Sequence, residues 1–227
     1  MRMTPIAASA STIDEPPRST AVLGEYDVVV LGGGPAGIAA ATAVARNGAG
    51  VLLVERYGFL GGMGTAAGVT NFCGLHANVF RTILQVVHGV ADDLLERMRA
   101  LDGLSEPHLI FGRIHAQAYD MSAFKCAADA LLESAGVHLL FHALAAGVVR
   151  ADGGCIEALL LETRSGRCAV RGRTFIDCSG DGEIAHRAGD PRCRSRAVHA
   201  VSRRILSRDR RAARLPGGVR RCRSRRT

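Results

Sequence analysis

Short aliphatic runs alternate with helical patterns along the chain from Tyr26 onward. The run YDVVVL at 26–31 is typical of a strand buried on both faces. The glycine turn GGGPAG follows it, then an alanine-rich helix that we expect over 38–46, then the aliphatic strand VLLVE at 51–55. Strand, helix and strand in such close succession predict a βαβ unit, and a βαβ unit requires a parallel sheet.

The later patterns predict two more helices and a third parallel strand. Apolar residues recur at helical spacing over 79–101 and over 121–135, and Gly136 ends the second helix. VHLLF at 137–141 then predicts a strand parallel to the first two. The apolar face predicted for the first of these helices comprises Ile83, Val86, Val87, Val90, Leu94 and Leu95.

Alternating and apolar pieces near the end of the pattern predict an antiparallel β-meander. The three pieces are 144–150, 155–162 and 167–171, separated by glycine-containing turns. A further strand is predicted at the start of 173–189, running into a glycine turn. The fold class we expect is therefore α/β: a Rossmann-type parallel sheet with a βαβ N-terminal unit, plus a β-meander.

The chain of 227 residues divides into three regions by composition. Residues 1–25 are rich in Ser, Thr, Ala and Pro and lack the apolar core of a secretory signal, which predicts a flexible leader. Residues 26–190 carry the patterned elements and form the predicted domain. Residues 191–227 hold fourteen of the 29 basic residues, all of them arginine, and one acid, a net charge of +13. The other 190 residues hold fifteen basic and twenty acidic residues, so the net charge of +8 reflects the end of the chain alone.

The Arg-rich segment 191–227 predicts a disordered tail, and two origins for it stay open. Clustered arginine binds phosphate non-specifically, which is typical of a nucleic-acid or membrane-surface tail, although the segment has no aromatic residue for stacking. The alternative is truncation or a changed reading frame, because Arg, Ser, Pro, Gly and Ala replace the earlier pattern near Asp190.

Cysteine usage and hydropathy indicate a cytoplasmic protein without a membrane span. The seven cysteines are scattered singly with no CxxC pair, which argues against a disulfide-stapled secreted domain and a zinc ribbon. We therefore predict no metal site. No run of about 18 uninterrupted apolar residues occurs, so no transmembrane helix is predicted.

The glycine turn carries a GxGxxG pattern made by Gly32, Gly34 and Gly37. It follows a strand, opens a helix and precedes an acid at the end of the next strand, Glu55, which is the arrangement of a dinucleotide-binding fingerprint. Pro35 suits the first turn of a helix, whose free amides and dipole attract a diphosphate. A carboxylate at Glu55 favours ribose hydroxyls and disfavours the 2′-phosphate of NADP. A purely structural glycine turn is the alternative.

Two downstream motifs extend this pattern. In ERYGFLGGMGTAAG an acid is followed closely by Gly61-Gly62, and IDCSGDG at 176–182 is a hydrophobic strand leading into a Ser-Gly-Asp turn. Together with the first glycine motif, the combination resembles the FAD-dependent oxidoreductase family of two-dinucleotide-binding-domain flavoproteins, allied to heterodisulfide reductase. The resemblance covers about residues 26–190, which would form an incomplete FAD-binding domain.

The resemblance implies a set of FAD-binding residues. Those along the pyrophosphate would be Gly32, Gly34, Pro35, Ala36 and Gly37. Glu55 would hold the adenosine ribose, and Gly61 and Gly62 would bring the chain towards the flavin half. Gly180 and Asp181 would return the chain beside the cofactor, although Asp181 could instead be an aspartate that caps a turn.

A flavin performs the redox step itself, so no protein nucleophile is required. Cys73 and His76, in VTNFCGLH, are weak catalytic candidates: Cys73 near the isoalloxazine ring, His76 as a proton donor to substrate. A buried, inert thiol and a structural histidine are the alternatives, and the same holds for His115 and His186. Some relatives carry iron–sulfur clusters, but this chain has no set of four closely spaced cysteines.

The sequence as a whole predicts an FAD-dependent oxidoreductase, or its N-terminal FAD-binding part, that passes hydride or electrons between an unknown small substrate and the flavin. An electron-transfer partner would fit this activity. The alternatives are a catalytically inactive truncated fragment and a nucleic-acid-binding protein that acts through its basic tail.

Overall fold

The computed structural model describes residues 13–80, 82–152 and 154–190. The predicted Arg-rich tail at 191–227 and the first twelve residues of the predicted leader lie outside the described residues. Regular structure begins at Ala21, five residues before the predicted start at Tyr26. The difference arises because residues 21–26 add to the first strand by pairing with a partner from the far end of the domain.

Eleven strands, four helices and one 3₁₀ turn make up the described residues. The strands are β1 (Ala21–Leu31), β2 (Val51–Val54), β3 (Asn71–Cys73), β4 (His76–Val79), β5 (Thr82–Gln85), β6 (His108–Ile110), β7 (Ile114–Ala118), β8 (His138–Leu140), β9 (Leu144–Arg150), β10 (Ile156–Thr163) and β11 (Gly166–Asp177). The helices are α1 (Pro35–Arg46), α2 (Val90–Ala100), α3 (Met121–Ser134) and α4 (Glu183–Arg187), and the 3₁₀ turn spans Gly62–Gly64.

The main sheet has the order β8-β2-β1-β11-β10-β9. Its first four strands are parallel, and β1 lies between β2 and β11. The predicted α/β fold, the βαβ unit and the third parallel strand are therefore confirmed. β10 pairs antiparallel with both β9 and β11, which confirms the meander.

One predicted break within the meander is wrong, because β11 is a single strand of 12 residues. Its first half pairs with β10, and its whole length pairs with β1, from Cys168 opposite Ala21 to Asp177 opposite Leu31. The gap between the predicted strands falls at Gly172, where a Cβ would lie 2.9 Å from the Val29 side chain. The glycine therefore permits close strand packing at this point and does not form a turn.

Alternate residues of the parallel strands point into two separate hydrophobic cores. Val30, Val51 and Leu53 pack against α1, α2 and α3 on one face. Val29 and Leu52 point to the other face, where Leu159 and Leu161 of the meander cover them. The parallel sheet is thus buried on both faces, as its continuous aliphatic runs require.

The predicted helix over 79–101 is correct only from Val90 onward. The preceding residues form a hairpin, β4–β5, in which Val79 pairs with Thr82. Gly89 has φ 81° and accepts no helical continuation, and the Asp92 side chain accepts a hydrogen bond from the Gly89 N–H at 2.8 Å. This capping box fixes the helix start, and the β-branched residues before it favour a strand.

No helix within the described ranges combines the length and the apolar character that crossing a bilayer requires.

Candidate functional site

The carboxyl ends of β1, β2 and β11 meet at one edge of the sheet. Leu31, Val54 and Cys178 lie at these ends and line a cavity of about 530 Å³. The chain passes from β1 to β2 on one side of β1, whereas β11 occupies the other side, so the strand order reverses there. Ligands of open α/β sheets bind at such a reversal.

Two glycines of the loop after β1 are required by the packing of the protein itself. Gly32 has φ 103°, and a Cβ on it would lie 2.4 Å from the Cys178 carbonyl oxygen. A Cβ on Gly37 would lie 1.8 Å from the Gly32 carbonyl oxygen. These positions bring helix and strand backbones together and leave no room for a side chain.

Gly34 differs from its neighbours because the protein leaves space beside it. Its φ is −74°, which any residue adopts, and the nearest atom to an added Cβ is the Gly62 Cα at 3.8 Å. Gly34 lines the cavity. A side chain at this position would therefore occupy ligand space without clashing with the fold.

Helix α1 presents its N-terminus to the cavity. Pro35 is the first helical residue, and the first intrahelical bond runs from the Ile38 N–H to the Gly34 carbonyl at 2.9 Å. The amides of Ala36 and Gly37 come before that bond, and no side chain caps this end of the helix. Free amides at the positive end of a helix dipole form an anion-binding position, as a pyrophosphate requires.

Glu55 is buried at the end of β2, with 5% of its surface exposed. Its carboxylate accepts the Gly33 N–H at 2.6 Å and the Tyr57 N–H at 2.8 Å, one on each oxygen. The Glu55 backbone also bonds to Leu140 and Ala143. The side chain lines the cavity and keeps a second lone pair on each oxygen, so it can hold a ribose hydroxyl while it fixes the glycine loop.

The segment after Glu55 is held in place by two buried hydroxyl groups. Gly61 and Gly62 have φ values of 109° and 51°, in the left-handed region that favours glycine. Thr65 donates a hydrogen bond to the Leu60 carbonyl at 2.7 Å. Tyr119 donates to the Gly64 carbonyl at 3.0 Å and also bonds to the Val69 carbonyl. Burial raises the pKa of Tyr119, which favours its protonated, donating form.

The Ser-Gly-Asp turn after β11 is shaped by Asp177 and not by Asp181. One Asp177 oxygen accepts hydrogen bonds from the amide and hydroxyl of Ser179, and the other accepts the Ile184 N–H at 2.7 Å. Asp181 is exposed, lines the cavity beside Gly180, and makes no hydrogen bond to any described residue. The alternative of a capping aspartate therefore applies to Asp177, and the Asp181 carboxylate is left available to a ligand.

The two weak catalytic candidates do not line the cavity. Cys73 is exposed at the end of β3, so the alternative of a buried thiol is wrong for this residue. His76 is half-buried in β4, and its Nδ1 is buried. The structure thus brings together every predicted cofactor-binding residue and places Cys73 and His76 apart from them.

Sequence reasoning missed several residues that line the cavity. Arg56 and Tyr57 follow Glu55, and the Arg56 guanidinium lies 5.0 Å from the centre of the Tyr57 ring. Cys178 forms part of the floor, and burial together with the Asp177 carboxylate raises the pKa of its thiol. Adjacency to Glu55 was the available signal for the first two. The sequence carried none for Cys178, because its position depends on the pairing of β1 with β11.

The comparison with protein families decides the identity of this site. A model of the FAD dependent oxidoreductase family matches residues 27–196. The chain belongs to this family. The cofactor of this flavoprotein is accordingly FAD, and the oxidoreductase class predicted from the sequence is confirmed. The kinship with heterodisulfide reductase stays a prediction. No match was found among curated protein sequences.

Solved structures share the fold of this flavoprotein at low sequence identity. THI4 of Thermovibrio ammonificans is 18% identical, with a TM-score of 0.50 over 72% of this chain and 61% of that one. A geranylgeranyl bacteriochlorophyll reductase-like protein of Thermoplasma acidophilum is 20% identical, with a TM-score of 0.49 over 77% of this chain and 43% of that one. The flavoprotein therefore spans less than two thirds of the length of these structural neighbours.

The geometry of the cavity fits FAD. Space beside Gly34, free amides at the start of α1 and a buried acid at the end of β2 are the features that bind the ADP half of a dinucleotide. Within the described residues, no three His, Cys, Asp or Glu side chains converge as a metal site requires.

Proposed function

We propose that the chain is the FAD-binding part of an oxidoreductase that passes hydride or electrons between a small substrate and the flavin. The observation that supports this function best is Gly34: its Cβ position is open towards a cavity that otherwise has glycines packed tightly around it. Bound FAD supplies the hydride-accepting chemistry, as cofactors do in general.

The residues of this chain bind and orient the cofactor in the proposal. The amides of Ala36 and Gly37 donate to the pyrophosphate, and Glu55 accepts from the ribose hydroxyls. Gly61 and Gly62 direct the chain past Gly34, where a Cβ on Gly62 would lie 2.8 Å from the Gly34 Cα. Gly180 and Asp181 close the opposite wall of the cavity. An electron-transfer partner is part of the proposal, and the substrate class is left open.

A titration of the full chain with FAD tests the proposal. We expect flavin fluorescence or absorbance to change saturably, and ADP to compete for the same site, because the residues that line the cavity match the ADP half. Absence of any FAD binding, or FAD binding that a large excess of ADP leaves unchanged, would contradict the assignment of this cavity.

A second candidate, a chain that binds cofactor without turning over substrate, rests on one observation. The chain spans 61% of the length of THI4 and less of the other structural neighbour named above. Anaerobic addition of reductants to the FAD-loaded chain separates the candidates: reduction and reoxidation over repeated cycles with a substrate supports the complete activity. A nucleic-acid-binding function would depend on residues 191–227, which lie outside the described residues.

A further inference from the structure

Two histidines that the flavin site does not use lie on neighbouring strands. His76 is the first residue of β4, His115 lies in β7, and these two strands pack against each other. The Nδ1 atoms of both imidazoles are buried and have no hydrogen-bond partner among the described residues. A buried polar atom without a partner is costly, and such atoms in a native protein call for an explanation.

A third unpartnered atom lies on the same strand as His115. Gln117 is two residues further along β7, so its side chain leaves the same face of the strand. Gln117 is 2% exposed, and its Oε1 has no donor among the described residues, although its Nε2 bonds to the Ser105 carbonyl. The polar character of this position is therefore not limited to one side chain.

The charged groups that act on His76 are all cationic or potentially so. His115 on β7 and Arg99 on α2 lower the pKa of His76, in addition to the larger effect of burial. No carboxylate is among the groups that shift it. A cluster of two imidazoles and a guanidinium without an acid has the composition of an anion-binding site.

We propose that His76, His115 and Arg99 form a binding site for a small oxyanion, a phosphate or a carboxylate group, separate from the FAD cavity. The three residues do not line that cavity, so the proposal does not depend on the function proposed above. Arg99 supplies a permanent charge and His76 and His115 supply ring N–H donors, which would give partners to the two buried Nδ1 atoms.

This site has a defined dependence on pH. In the absence of an anion, the lowered pKa of His76 keeps its imidazole neutral near pH 6.5. A bound anion offsets the repulsion from His115 and Arg99 and so raises the pKa of His76. Binding then takes up a proton, and anion affinity increases as the pH falls, by up to about tenfold for each pH unit per proton taken up.

Histidine NMR of the full chain tests the proposal at the residues concerned, with sulfate and acetate as separate probes at constant ionic strength. Spectra of His76→Gln and His115→Gln assign the two imidazoles. We expect sulfate, acetate or both to raise the pKa of His76 and His115, and the signals of exposed His186 to stay unchanged. A response to sulfate alone indicates a phosphate-type ligand, and a response to acetate alone indicates a carboxylate.

A pair of arginine variants separates this site from general charge effects. Arg99→Gln should lower the affinity for the active probe by about tenfold or more, the scale for a hydrogen bond to a charged group. Arg113→Gln, which removes an exposed arginine between β6 and β7, should leave the affinity within about twofold of the wild type. Unchanged His76 and His115 titrations with both probes, or equal effects of the two variants, would overturn the proposal.

Discussion

Glu55 holds two backbone amides with its carboxylate, so it serves the loop and the cavity at once. Replacing it by Gln should weaken FAD binding by about 1–3 kcal/mol, the scale for losing charge-assisted hydrogen bonds. Because the amide NH₂ of Gln would face one of the two N–H donors, the unliganded protein should also have a lower Tm. Isothermal titration with FAD and a thermal melt measure the two effects.

Asp27 offers a matched control for the Glu55 variant. Its carboxylate also accepts a backbone N–H, that of Gly50 at 2.9 Å, but it does not line the cavity. Asp27→Asn should change the Tm slightly and leave FAD affinity as it is. Equal FAD affinities of Glu55→Gln and the wild type would remove Glu55 from the binding site.

Gly34→Val should abolish FAD binding and leave the fold intact. The valine side chain would fill the space beside the pyrophosphate position, while the backbone at φ −74° accepts it without strain. Far-UV circular dichroism and flavin fluorescence titration check the two parts. Gly50→Val, at an exposed glycine outside the cavity, is the control and should bind FAD normally. FAD binding by Gly34→Val at wild-type affinity would show that the phosphate cradle is wrongly assigned.

Cys178 gives a pH-dependent signal from the cavity floor. Burial and the Asp177 carboxylate raise the pKa of its thiol, and the thiolate is the reactive form. Alkylation of Cys178 by iodoacetamide, followed by peptide mass spectrometry, should therefore begin at a higher pH than alkylation of free cysteine. Saturating FAD should slow it further, whereas exposed Cys73 should react at the same rate with and without FAD. Faster alkylation of Cys178 in the presence of FAD would contradict its place beneath the cofactor.

At the scale of elements, the turn between β11 and α4 depends on Asp177. Asp177→Ala leaves the amides of Ser179 and Ile184 without their acceptor and should lower the free energy of unfolding by about 1–3 kcal/mol. Asp181→Asn should lower FAD affinity without changing stability, because the Asp181 side chain makes no hydrogen bond to the described residues. Urea denaturation and FAD titration of both variants test this division. A loss of stability in Asp181→Asn equal to that in Asp177→Ala would refute it.

The elements that the sequence predicted correctly are those whose local pattern has one reading. The strand before Gly32, the helix that ends before Asn47 and the helix that ends before Gly136 each have a buried aliphatic or alanine-rich core and a distinct stop. The segment before Val90 has two readings, because apolar residues spaced for a helix are also β-branched. The hydrogen bond of Asp92 to Gly89 decides between them only in three dimensions.

The site shows the same division between local and distant information. Gly32, Gly34 and Glu55 could be predicted because one βαβ unit brings them together. Cys178 and Tyr119 could not, since their contacts with the glycine loop and with Gly64 join residues far apart in the chain. For Asp177 and Asp181 the motif gave the right turn but the wrong roles, because the choice between capping and exposure depends on where α4 begins.

For the whole molecule, the pattern of contacts predicts that the 227-residue chain holds FAD weakly and turns over no substrate. Its cavity residues match the ADP half of the cofactor, so the affinities for ADP and FAD should agree within about tenfold, a difference of about 1.4 kcal/mol. A variant that carries a family-like continuation after Gly189 should bind FAD more tightly than ADP. Competition titrations of both proteins measure the ratio.

Removal of residues 191–227 provides the second arm of this experiment. We expect the shortened chain to bind FAD and ADP as the full chain does, and to elute earlier from heparin because it loses fourteen arginines. Stoichiometric, tightly held FAD with substrate turnover in the 227-residue chain would show that the prediction of weak binding is wrong.

The pairing of β1 with β11 also determines when the domain can be completed during synthesis. Partners such as Leu31 and Asp177 are separated by almost the whole domain, so one edge of β1 stays unpaired until the ribosome has made β11. Contacts of such high sequence separation form slowly, and an open strand edge attracts other chains in the meantime. The nascent chain is therefore most exposed to aggregation between the emergence of β1 and that of β11, and we expect chaperone binding to be concentrated in this interval.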